Sequence, residues 1–140
     1  MLTTEELTSR LDEYEHSMVG NMGIKFLPET DDNTFRATMP VDHRTRRPGG
    51  ILAGGSSLAL AETVAGFASL RLCPKGKQCF GIQISANHIA MVKDGDTVTA
   101  TARPIHLGRT THIWNVDVVS SKGKLISSVR VTNFICDIKL

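Results

Sequence analysis

Between Arg47 and Arg71 the chain carries a single ionisable side chain, Glu62. It stands in PGGILAGGSSLALAETVAGF, residues 48–67, where a glycine-rich turn runs into a stretch that is apolar almost all the way round. A carboxylate in such company is either structural or chemical. In the first case it pairs with an arginine such as Arg47 or Arg109, or turns into a subunit interface; in the second it serves as a nucleophile or a base. Other chemistries lack their residues. Cys73, Cys79 and Cys136 are odd in number and show no metal-ligand spacing, which argues against a disulfide framework and a zinc site. No G-x-G-x-x-G or P-loop occurs, and the serines of AGGSS form no G-x-S-x-G nucleophile elbow. No metal and no cofactor is expected.

The elements that must hold Glu62 follow from composition and pattern. At 140 residues and 41% hydrophobic, the sequence supports one core, so a single domain over residues 1–140 is expected. Sixteen basic residues against fourteen acidic ones leave a net charge of +2, too even to call for nucleic acid or a membrane surface. MLTTEELTSRLDEYEHS has no signal-peptide pattern and no stretch approaches the roughly 20 apolar residues of a membrane span, so a cytoplasmic protein is expected.

Residues from Thr3 to about Met18 read as an amphipathic helix, with Thr3 or Thr4 as cap and Glu5 and Glu6 in its first turn. Ile24 to Leu27 and Thr34 to Met39 read as a hairpin around the turn that holds Pro28, Asp31, Asp32 and Asn33. HRTRRPGG reads as a basic loop. The central helix is expected to begin at Ser56 or Ser57, which would cap it, and to stop near Cys73, because Pro74 disfavours helix in the residue before it. Leu58, Leu60, Val64, Phe67 and Leu70 are spread around its circumference, so it should be wrapped by other elements. Phe80–Met91, Thr97–His106, Thr111–Val119 and Leu125–Cys136 read as strands separated by VKDGD, LGR and SSKG. Trp114 reads as a packing residue. The expected class is α+β, a long antiparallel sheet curved around the Ser57–Leu72 helix.

Four stretches, ATMPVDHRTRRPGGILAGGSSLALAETVAG, GIQISANHIAMVKDG, ARPIHLGRTTHIWNVDV and GKLISSVRVT, resemble in order and spacing the hotdog-fold acyl-CoA thioesterases of the PaaI-like and 4-hydroxybenzoyl-CoA type, near the bacterial branch that includes the 1,4-dihydroxy-2-naphthoyl-CoA and enterobactin proofreading thioesterases. The resemblance covers most of the chain from Gly20 onward. It implies that the glycine pair Gly54 and Gly55 presents backbone N–H groups to a thioester carbonyl. It also implies that Glu62 is the nucleophile or the base for an attacking water. The physics agrees, since a helix N-terminus offers free donors and partial positive charge to an oxygen that gains negative charge. Asn87 and His88 match a stretch near the nucleotide and pantetheine path, and Arg109 lies in a turn whose basic residues can meet CoA phosphates.

Three positions depart from the active pattern: Arg47 stands where a glutamine is usual, Ala53 where a histidine precedes the glycines, and Gly66 where a Ser or Thr follows the glutamate by one turn. Arg47 is then either a replacement ligand for the carbonyl or a solvated loop charge. A thiolate leaves readily, so the carbonyl donors and Glu62 form the minimum for turnover. The resemblance implies hydrolysis of an acyl- or aroyl-CoA, or of an acyl-carrier thioester. It also implies a homodimer or homotetramer with sites between subunits. The small residues Gly49, Ala53 and Gly66 suit a bulky or aromatic acyl group. The alternative is a non-catalytic acyl-CoA binding or sensing protein on the same fold. A hydratase ranks last, because the apolar helix supplies no histidine.

Overall fold

Alternation in THIWNVDVV and SVRVTNFI puts every second side chain on one face, and in the computed structural model, which describes residues 12–138, that face closes over a helix. Six strands form one antiparallel sheet in the order β1-β2-β6-β7-β8-β5. They are β1 (Lys25–Phe26), β2 (Phe35–Pro40), β5 (Lys77–His88), β6 (Thr97–Leu107), β7 (Thr111–Val119) and β8 (Leu125–Asp137). A second, two-stranded ribbon pairs β3 (Arg46–Arg47) with β4 (Ile51–Leu52). The helix is α2 (Gly54–Leu72), and α1 (Met18–Asn21) is a short turn before β1.

The core is the inner face of the sheet against α2. Phe35, Ala37 and Met39 of β2, Val98, Ala100 and Ala102 of β6, Trp114, Val116 and Val118 of β7 and Val129 and Val131 of β8 are all buried. Leu60, Ala61, Val64, Ala65 and Ala68 of α2 are fully buried against them. Contacts from α2 reach β2, β5, β6, β7 and β8, so the helix is wrapped as its all-round apolar sequence requires. The expected α+β hotdog architecture, the β1–β2 hairpin and the strands over β6 to β8 are all present.

Three local expectations are corrected. The helix begins at Gly54, two residues before Ser56, with Ala53 in the cap position and no side-chain cap. Ser56 Oγ instead donates to Thr45 O at 2.9 Å, a tertiary bond that outcompetes capping, so neither serine caps the helix. The basic loop is ordered, with Gly49 (φ 99°) and Gly50 (φ 80°) supplying the left-handed turn of the β3–β4 ribbon. The reading of Thr3 to Met18 as a helix lies partly outside the described residues. Of the rest, 12–15 are helical, and a break follows at Ser17, whose Oγ donates to Tyr14 O and accepts from Val19 N–H as the cap of α1.

At its other end α2 stops where Pro74 dictates, with Cys73 extended (ψ 152°). No helix among the described residues is long and apolar enough to cross a membrane.

Candidate active site

The start of α2 is held from the loop before it. Asp42 accepts from Arg44, side chain and backbone, and these bonds pull its carboxyl down to about 2. Buried Thr45 ties the same loop together, donating through Oγ1 to Pro40 O and accepting from Asp42 N–H, while its carbonyl accepts from Ala53 N–H and Ser56 Oγ–H. Arg46 pairs with Asp94. The ribbon is thereby fixed with Arg47 beside the helix start.

Arg47, Gly54 and His88 line one cavity of about 200 Å³, together with Ser57, Met91 and Ser127. His88 Nδ1 and Ser127 Oγ are hydrogen-bonded at 2.7 Å, which aims the other side of the ring at the helix. A Cβ on Gly54 would stand 2.7 Å from His88 Nε2, so the histidine reaches the helix N-terminus only because residue 54 has no side chain. At Gly55 a Cβ would meet nothing within 4 Å, and the residue is exposed. The contrast yields a prediction. Gly54→Ala is expected to break the His88–Ser127 bond and cost about 1 kcal/mol, whereas Gly55→Ala is expected to leave the melting temperature unchanged or slightly raised; thermal unfolding of both variants checks it.

Glu62 is exposed, and it lies about two turns beyond Gly55 and within about 20° of it around the helix. Among the described residues it forms no ion pair, with neither Arg47 nor Arg109. Its Oε1 occupies the space that a side chain at Gly81 would fill, 2.7 Å from that residue's ideal Cβ position. Just beyond Gly81, β5 bulges between Gly81 and Gln83. Both Gly55 and Glu62 thus face β5, the edge strand of the sheet, where Phe80 and Ile82 stand 52% and 61% exposed.

The other two binding candidates lie elsewhere. Alternation along β5 turns Asn87 to the opposite face from His88, and it does not line the cavity with Gly54. Arg109 lines a second cavity of about 500 Å³ with Lys77, Phe80 and Phe134, on the sheet face away from α2. Among the described residues no group of three or more His, Cys, Asp or Glu is placed to hold a metal ion.

A polar row that the sequence reading missed runs beneath Glu62. His112, Asn133 and Gly81 are successive partners across β7, β8 and β5, and Ser69 of α2 faces them. Ser69 Oγ accepts from Trp114 Nε1 at 2.8 Å and from Asn133 Nδ2 at 2.9 Å. With both lone pairs used, its proton goes to His112 Nδ1 at 3.0 Å, which makes His112 the neutral Nε2–H tautomer. The signal was present as polar residues at inward positions of apolar alternations, His112 before Trp114 and Val116, and Asn133 between Val131 and Ile135.

Burial, with the nearby His106 charge adding to it, pushes the His112 pKa below the ordinary 6.5. The unfolded chain then binds more protons than the folded one below about pH 6.5. Stability is complete above that value and falls as pH drops toward the folded pKa. Unfolding midpoints between pH 7.5 and 5 are expected to decline in the wild type and to flatten in His112→Gln, which keeps an acceptor but has no charge to gain.

Comparison with known proteins agrees with this fold. The sequence profile of the Thioesterase superfamily matches residues 49–127, from the β3–β4 turn through the start of β8. The 1,4-dihydroxy-2-naphthoyl-CoA hydrolase of Escherichia coli is 40% identical over 122 residues, 86% of this chain and 88% of that one. Among solved structures, thioesterase HI1161 of Haemophilus influenzae superposes with a TM-score of 0.88 at 39% identity, over 98% of this chain and 92% of the other. A mutant of thioesterase PA1618 from Pseudomonas aeruginosa gives 0.89 at 35% identity over 97% of each chain. The wrapped helix and curled antiparallel sheet are thus a shared fold, and the chain belongs to the thioesterase superfamily, a hotdog-fold hydrolase of thioester bonds.

Proposed function

We propose that this protein hydrolyses acyl- or aroyl-CoA thioesters to the free acid and CoA, with Glu62 as nucleophile or general base and Gly55 N–H as donor to the carbonyl oxygen. The observation that carries the reading is Glu62 itself, an exposed carboxylate outside any ion pair among the described residues, on the helix face that begins with the glycines. Ser56 and Ser57 N–H both bond back to Ala53 O, which leaves the Gly54 and Gly55 N–H groups as the donors at the helix start, where the dipole favours negative charge. His88 and Arg47 flank the same donors and would hold the thioester end of the pantetheine arm. Asn87 on the outer face of β5, and Arg109 with Lys77 beyond it, would meet the nucleotide and its phosphates. The resemblance to a naphthoyl-CoA hydrolase favours an aromatic acyl group.

One chain offers only half of such a site. The cavity at Gly54 is about 200 Å³, below the roughly 300 Å³ of ordinary ligand pockets, and His88, the last residue of the edge strand β5, lines it. Pairing of two copies along β5 would bury Phe80, Ile82 and Met91 and close the cavity, giving a homodimer, doubled in a homotetramer, with sites between subunits.

The test is steady-state thiol release by the purified protein from a panel of aromatic and aliphatic acyl-CoAs, with a thiol-trapping dye. Release from at least one CoA thioester is expected. Thermal protection by acyl-CoA with no thiol released would reject hydrolysis in favour of a binding protein, as the non-polar Ala53 and Gly66 would then explain.

A further inference from the structure

Glu62, Ala65 and Ser69 follow one another at helical spacing on one face of α2, and that face lies over the row Gly81, Asn133, His112. Asn133 is the residue that joins the two. It is 0% exposed, and its Nδ2 donates to Ala65 O at 3.1 Å and to Ser69 Oγ at 2.9 Å. The Ala65 carbonyl can only accept, so the amide nitrogen must face it and a flipped amide would set oxygen against oxygen. Ser69 is in turn fixed by Trp114 and His112. The amide therefore has one orientation, and its Oδ1 faces β5.

There Asn133 Oδ1 accepts no hydrogen bond among the described residues, the single buried side-chain polar atom among them without a partner. It lies 3.6 Å from the ideal Cβ position of Gly81, the same point that Glu62 Oε1 approaches to 2.7 Å. Two acceptors, one of them a carboxylate, thus converge beside a glycine that keeps the space between strand and helix clear. A buried acceptor left unmade costs about 1–3 kcal/mol, and two acceptors side by side call for a small donor with two hydrogens. Water is that donor. A water that donates one hydrogen to each has its lone pairs directed away from both.

We propose that Asn133 Oδ1 and the Glu62 carboxylate together hold and orient the water that attacks the thioester. This rests on the hydrolase reading above and assigns Glu62 the role of general base. The water oxygen bonds to the acyl carbon while one of its protons passes to Glu62 and the carbonyl electron pair moves onto oxygen. Asn133 keeps the other hydrogen in place. When the oxyanion collapses, the C–S bond breaks and the departing thiolate takes the proton from Glu62, leaving acid and CoA thiol. The Ser69–His112–Trp114 group acts through Asn133 as its positioning frame.

The experiment compares wild type, Glu62→Ala, Asn133→Leu and Asn133→Asp on the best acyl-CoA, with kcat, KM and the pH profile of kcat read for each. Asn133→Leu keeps the volume but loses the acceptor. It is expected to lower kcat about 10²-fold with KM unchanged, the cost of an unaligned nucleophile. Asn133→Asp sets a second carboxyl beside Glu62, so the acid limb of its pH profile is expected to move to higher pH, which a merely structural asparagine would not produce. A dead Glu62→Ala alongside wild-type kcat in Asn133→Leu and an unmoved profile in Asn133→Asp overturns the water site and leaves the hydrolase standing. Wild-type turnover in Glu62→Ala, or no thiol release by the wild type, overturns both. If the leucine variant does not fold, a high-resolution crystal structure of the wild-type assembly decides. A water bonded to both Glu62 and Asn133 Oδ1 is expected, and another donor filling Oδ1 overturns the proposal.

Discussion

Glu62→Ala is expected to lower kcat on the best acyl-CoA by about 10²–10⁴-fold, the range that a positioned base or acid contributes, while the unfolding midpoint stays where it is. The two halves of that expectation come from different observations. Glu62 is exposed and outside any ion pair among the described residues, so its removal uncovers no buried charge and breaks no bridge. Alanine is also the better helix former at a position inside α2. The loss therefore falls on chemistry alone. Glu62→Gln sharpens the measurement, because it keeps shape and hydrogen bonding and removes only the ability to attack or to take a proton. Both variants are expected to bind substrate with a KM near that of the wild type, since the cavity walls at Arg47, Gly54 and His88 are untouched. A variant that turned over at the wild-type rate would return Glu62 to the structural role that a lone helical glutamate so often has.

The largest expected effect on stability belongs to Ser69→Ala. The hydroxyl is fully buried and serves three partners at once, Trp114 Nε1, Asn133 Nδ2 and His112 Nδ1. Removing one oxygen strands an indole N–H and an imidazole nitrogen in a dry interior and takes one of two acceptors from the amide. At about 1–3 kcal/mol for each stranded group, a total loss of about 3 kcal/mol is expected, far above what one hydroxyl on an exposed helix face would give. Urea unfolding checks this through a lower midpoint at unchanged slope. A loss under about 1 kcal/mol would mean that the three partners find other acceptors. The same substitution loosens the Asn133 amide, so activity is expected to fall with stability.

Much of the scaffold could be read directly from residue order. Pro74 forbids continuation of α2, the period-two runs through Trp114 and Val131 need a buried face, and an all-round apolar helix needs a wrapping sheet. Glu62 was legible for the same reason, as the lone charge in an apolar stretch. The start of α2 was misjudged because Ser56 has two uses. Local propensity makes it a cap, while the fold brings Thr45 O, eleven residues back, to within 2.9 Å. The β3–β4 ribbon was hidden because its strands are two residues long and its signal is a glycine pair in a basic tract.

What sequence order determined, then, is a set of features that depend on neighbours a few residues apart: the helix stop, the periods of the long strands, the turns between them and the isolation of Glu62. Tertiary structure alone decided which distant residues meet. The register that sets Gly81 opposite Asn133 and Asn133 opposite His112 is a choice among strand pairings, and a slip of one residue would turn Asn133 to the other face and leave Glu62 without its neighbour. Likewise, His88 reaches Gly54 across a sequence separation of 34 residues because β5 packs along α2, a contact fixed by the burial of the whole core and by no local signal.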